Sequence, residues 1–102
     1  MTLTRFNHYQ SLGRRGTPAD VDAIMLLLGT DGSFSDTRLA DYALSLVNTL
    51  EGRRRIEHYL FHGAQLIQRN YAALYFKRRG DMGRVRRAVE LGLIDALQGY
   101  IC

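Results

Sequence analysis

The sequence predicts an all-α chain of five to six helices, stacked as antiparallel pairs that form a superhelix or close into a compact helical bundle. Three observations lead there. Apolar residues recur at three- and four-residue spacing along most of the chain, and period-two alternation is convincing nowhere. Glycines stand where the periodic stretches stop, at Gly29, Gly63, Gly80 and Gly92. A tyrosine with similar neighbours returns every 29 residues, at Tyr42, Tyr71 and Tyr100.

The chain is organised around residues 68–81. Taken as a helix over 68–79, it places Ile67, Tyr71, Ala72, Leu74, Tyr75 and Phe76 in a wide apolar arc. Arg69, Ala73 and Lys77 fall on the opposite line, with Asn70 beside them. So wide an arc predicts a helix packed on two sides. Gly80 is placed to end it in the left-handed conformation, with Lys77, Arg78 and Arg79 at the negative end of the helix dipole.

In chain order, residues 1–16 read as an N-terminal arm or irregular lead-in that docks through Phe6 and Tyr9. Gly13 and Gly16 break any longer helix there. Residues 17–102 read as one helical-repeat domain. Thr17-Pro18-Ala19-Asp20 is a helix start: a hydroxyl for the N-cap, proline at the first helical position, acids in the first turn. Val21, Ile24, Met25 and Leu28 form that helix's core stripe, and Gly29 ends it before a turn centred on Asp31-Gly32. Ser35 or Asp36 caps the next helix, which runs to about Leu50 with Leu39, Tyr42, Ala43, Leu46, Val47 and Leu50 inward. Glu51-Gly52 breaks it. A helix over 53–62 buries Ile56, Tyr59 and Leu60. After the central helix, Asp81 opens one with Val85, Ala88, Val89 and Leu91 inward, and residues 94–102 form the last.

At 102 residues and 46% hydrophobic content the chain is long enough for one modest core and too apolar for disorder. No apolar run approaches the roughly 20 residues of a membrane span, and residues 1–16 lack a secretory h-region. The one cysteine, Cys102, excludes an intrachain disulfide framework and a cysteine-rich zinc site. A reduced, cytoplasmic protein without membrane association is expected. The net charge of +4 is unevenly spread. Residues 20–51 carry six acids against Arg38, whereas residues 53–87 are rich in arginine against Glu57 and Asp81. Such a split fits solvated, internally paired helix faces, an anionic partner, or head-to-tail contact between copies.

The 29-residue spacing extends beyond tyrosine: Val47 aligns with Phe76, Ile56 with Val85, Leu60 with Val89 and Gly63 with Gly92. Arg69, Ala72-Ala73, Gly80-Asp81, Val85, Ala88 and Glu90-Leu91-Gly92 resemble the short HEAT-like repeats of the phycobilisome-lyase type. The resemblance covers residues 68–93 well and 36–63 more thinly. It implies α-α superhelical stacking and a binding role. It does not imply lyase chemistry, because the cysteine and acid arrangements of a chromophore enzyme are missing. Tyr71, Tyr75 and Phe76 are bulkier than such repeats favour, which keeps the compact bundle as the alternative. About two and a half units would leave an apolar end uncovered at Tyr100-Ile101-Cys102, so a homo-oligomer is expected, a homodimer through the C-terminal or N-terminal helix.

Candidate contact residues follow from charge and helical position. His58 and His62 are four apart, a metal-ligand spacing, but Arg54 and Arg55 would repel a cation and no third ligand is apparent. Phe61 lies on the wheel among Arg54, Glu57 and His58, either buried by the next helix or an exposed anchor for a protein or a nucleic-acid base. Arg53, Arg54 and Arg55, with Arg84, Arg86 and Arg87, begin successive helices and would form a basic ridge with Arg69 and Lys77. No triad, phosphate-binding glycine motif or paired carboxylates occur, and Asp81 and Asp95 read as helix caps. A non-catalytic protein–protein interaction module without cofactor or metal is expected, with nucleic-acid binding through residues 53–87 as the alternative.

Overall fold

The computed structural model describes residues 3–29 and 33–100. Among them are α1 (Leu3–Arg15), α2 (Pro18–Gly29), α3 (Phe34–Leu46), α4 (Leu50–His62), α5 (Leu66–Arg78), α6 (Met82–Glu90) and α7 (Ala96–Tyr100). No described residue is in a strand, so the all-α class agrees with the sequence; the seven helices exceed the five to six expected. The expected Asp31-Gly32 turn and the last two residues of the expected final helix, Ile101 and Cys102, lie outside the described residues. Contacts divide the chain into two compact units, residues 1–55 and 56–102.

In the first unit, most of the expected lead-in is α1, a helix packed on α2 and α3. Its contact line is short of large apolar residues, which hid it in the sequence. Phe6 stacks on Tyr42 of α3 with ring centroids 5.4 Å apart. Gln10 donates from Nε2 to the Tyr42 hydroxyl at 3.0 Å. Gly13, inside the helix and not a breaker, lies so close to Ala43 that an added Cβ would overlap its carbonyl oxygen. Arg5 pairs with Asp36. The partners climb both helices in the same direction, so α1 and α3 run parallel and α2 returns against them.

The start of α2 is as the sequence predicts. Asp20 N–H donates to Thr17 Oγ1 at 3.2 Å and Thr17 N–H donates to Asp20 Oδ2 at 3.1 Å, a capping box. At α3 the cap is Ser33, two or three residues earlier than expected, and Asp36 is its N3 partner. The buried arc of α3 is Leu39, Ala40, Ala43 and Leu44, continued by Val47. Tyr42 is instead at the edge, held by α1, and Leu50 is exposed. α3 stops at Leu46 and α4 begins at Leu50, so Gly52 is inside a helix where a break was expected. Thr49 caps α4: Gly52 N–H donates to Thr49 Oγ1 at 2.9 Å, and that hydroxyl donates to Gly16 carbonyl at 2.6 Å. A Cβ on Gly52 would overlap the same Gly16 oxygen, which explains the glycine.

In the second unit α5 contacts both α6 and α7. Gln68, Ala72, Ala73, Tyr75 and Phe76 are buried. The expected outward line of Arg69, Ala73 and Lys77 is therefore covered too. Ala73 is fully buried. Arg69 donates to the carbonyls of Leu93 and Gly63 at 2.7 and 2.8 Å, and Lys77 donates to that of Gln98. The two cations fasten the chain around α7 onto α5, and two-sided packing holds as predicted. Gly80 ends α5 at φ 75°: Gly80 N–H donates to Lys77 carbonyl and Asp81 N–H to Phe76 carbonyl, both at 3.0 Å. Gly92 ends α6 with the same pair of bonds, to Val89 and Ala88. Val85 and Ala88 face inward on α6, but Leu91 is half exposed.

Candidate interaction surfaces

The ionic groups sort into those engaged inside each unit and those left outward. In residues 1–55, Arg55 reaches Asp22 with two bonds, at 2.7 and 3.3 Å. Arg53 is exposed and donates to the Asn48 amide oxygen at 3.3 Å, with no acidic partner among the described residues. Arg54 is exposed with no hydrogen bond or ion pair among the described residues. Asp20 is buried beside Arg15 and Thr17. Burial alone would raise its carboxyl; the hydrogen bonds from Arg15 and Thr17, with the Arg15 charge, outweigh burial and hold it below the usual carboxylate range. Asp36 is likewise lowered, chiefly by the Arg5 hydrogen bond and then by Ser33 N–H.

In residues 56–102, Arg69 and Lys77 are the carbonyl donors described above and not an outward ridge. Arg84 pairs with Glu57 and Asp81, and its guanidinium lies 5.5 Å from the centre of the Phe76 ring. Asp81 thus turns its carboxylate to Arg84; it stands at the α6 N-cap position without a side-chain cap bond, whereas Asp95 does accept from Gln98 N–H at 2.7 Å. Arg87 is 3.7 Å from Glu90. Arg86 is exposed with no acidic partner among the described residues. His58 and His62 are exposed, ring centroids 5.2 Å apart, and the described residues gather no group of three His, Cys, Asp or Glu side chains that would hold a metal ion. Phe61 is partly buried, between its two sequence expectations.

The apolar surface is more conspicuous than the ionic one. Leu3, Leu26, Phe34, Leu50, Leu66, Leu91 and Leu97 are each at least half exposed. Two open grooves adjoin some of them. One, of about 380 Å³, is lined by Phe6, Ser35, Arg38, Leu39 and Tyr42. The other, of about 540 Å³, is lined by Leu66, Arg69, Val89, Gly92, Leu93, Ile94, Asp95 and Ala96. Sequence reading missed Phe34, Arg38 and Asp95 as surface candidates. Phe34 precedes the helix start expected at Ser35 or Asp36; the one available signal was its place four residues before Arg38, the lone base of residues 20–51. Among the described residues no helix is long and apolar enough to cross a membrane. No protein-family model, curated protein or solved structure matches this chain.

Proposed function

We propose that the chain is a small helical-repeat protein of HEAT-like build that acts, without catalysis, as a protein–protein interaction module and associates with itself. The carrying observation is the contrast on its surface: Arg55, Arg69, Lys77 and Arg84 are engaged internally, while large leucines and Phe34 stand exposed. Exposed apolar side chains beside grooves suit protein partners, whereas a phosphate backbone needs unengaged cations. The repeat is supported by burial at the 29-residue spacing: Ala43 and Ala72, Leu44 and Ala73, Val47 and Phe76, Ile56 and Val85 are all buried.

The alternative is nucleic-acid binding, favoured by Arg54 and Arg86, exposed and without an acidic partner among the described residues. Binding of a duplex and a single strand at low and moderate salt separates the two. The interaction-module reading expects no binding with a steep salt slope, and expects cross-linked capture from native cells to enrich a protein that is lost on Leu66→Asp. Salt-steep binding abolished by Arg54→Glu and Arg86→Glu, with no such protein captured, would overturn it.

A further inference from the structure

The proposed interaction role leaves its occupant open, and the two halves of the chain carry complementary features. Phe34, at the first position of α3, is 77% exposed. Arg38 is one helical turn on, its guanidinium 5.7 Å from the centre of the Phe34 ring, so the two stand together as a protruding aromatic with a cation behind it. Arg38 has no carboxylate partner among the described residues. The groove of about 540 Å³ in residues 56–102 is the converse: apolar walls from Leu66, Val89, Leu93 and Ala96, with the exposed acid Asp95 among its lining residues. Asp95 accepts from Gln98 N–H and has no cation among the described residues; the groove's other ionic group, Arg69, is engaged on backbone carbonyls. A phenylalanine side chain fills about a quarter of that volume at ordinary packing density, leaving room for the stem of Arg38 to reach Asp95.

We infer that copies of this chain associate head to tail, the Phe34–Arg38 knob of one copy seating in the Leu66–Val89–Leu93–Ala96 groove of the next, with Arg38 meeting Asp95. This rests on the interaction-module reading and names its partner, a second copy. The contact is heterologous: each copy gives one surface and receives on the other. The Arg38–Asp95 attraction makes association weaken with salt, while the phenyl ring supplies the anchor.

The test is sedimentation velocity of the full chain from low micromolar to near-millimolar concentration, with two variants. Phe34→Asp removes the knob and keeps the groove. Ala96→Arg fills the groove and keeps both the knob and the Asp95 cap. Wild type should associate as concentration rises. Each variant alone should stay monomeric, its dissociation constant raised about tenfold or more as for an interface anchor. An equimolar mixture should form one-to-one dimers and nothing longer, because one live knob meets one live groove. Both substituted sites are exposed, and circular dichroism checks that the variants stay helical. A wild-type monomer throughout, homodimers that survive either substitution, or a mixture that stays monomeric while wild type assembles would each overturn the head-to-tail contact. A monomeric wild type that still captures a foreign protein through Leu66 removes self-association but keeps the interaction-module role, so the two fail separately.

Discussion

Gly13→Ala and Gly83→Ala add the same methyl to two helices and should move stability in opposite directions. In both, alanine improves helix propensity by about 0.5–1 kcal/mol. At Gly83, in the first turn of α6, the added Cβ meets nothing within 4 Å, so a gain of about 0.5 kcal/mol is expected. At Gly13 the Cβ would overlap the carbonyl oxygen of Ala43 and come within 3.0 Å of its carbonyl carbon and of Leu46 Cβ. Two of those atoms are backbone and have no rotamer to give. α1 must therefore back away from α3, loosening the Phe6–Tyr42 stack and the Gln10–Tyr42 bond on the same line. Overpacking costs about 1–3 kcal/mol, and so close a clash with backbone belongs at the upper end, which leaves a net loss of about 2 kcal/mol after the propensity gain. Urea unfolding followed by far-UV circular dichroism reads both, as midpoint shifts at unchanged slope. A Gly13→Ala protein as stable as wild type would refute the close crossing of α1 and α3, and with it the assignment of residues 3–15 to the body of the first unit.

Asp20 ties stability to pH. Its folded pKa is lowered, so the unfolded chain binds the proton more tightly; the stabilisation is present above the ordinary carboxylate value of about 3.9 and is lost as pH falls through the folded value. Asp20→Asn should cost about 1–2 kcal/mol at neutral pH and make stability fall less steeply on acidification below about pH 5; an unchanged acid limb in thermal melts from neutral to acid pH would contradict the assignment. Arg69→Met keeps most of the stem but frees the Leu93 and Gly63 carbonyls, at a cost of about 1–3 kcal/mol. Hydrogen exchange should then quicken in α7, and exchange that stays at the wild-type rate there would count against the clamp.

Fold class was legible because it depends on period, and period survives without coordinates. The Gly80 and Gly92 helix ends and the Thr17–Asp20 start were legible because each follows from one residue's own chemistry. What could not be read depends on a partner distant in sequence. α1 has a contact line of Phe6, Gln10 and Gly13, which looks polar until Tyr42 and Ala43 are placed against it. Gly52 looks like a breaker until the Gly16 carbonyl is found on top of it. The inward turn of two ionic candidates was hidden for the same reason: Arg69 and Lys77 have no sequence mark that separates a solvated cation from one that caps carbonyls 24 and 21 residues away.

Those two cations also connect the fold to the surface. By holding Leu93 and Gln98 against α5, they fix the segment that carries Leu93, Ile94, Asp95 and Ala96, and so form the wall of the groove. The same bonds remove Arg69 from the groove's electrostatics, since its donors already face backbone oxygens. The charge left to a visitor is then that of Asp95, negative, in a chain whose net charge is positive. An incoming side chain that is apolar and backed by a cation satisfies both the walls and the carboxylate, and α3 presents such a pair at Phe34 and Arg38. Weakening the Arg69 clamp should therefore loosen self-association as well as α7, because the wall that Arg69 holds is the one the incoming side chain meets. Arg69→Met that softened α7 but left assembly unchanged would place the contact somewhere other than this groove.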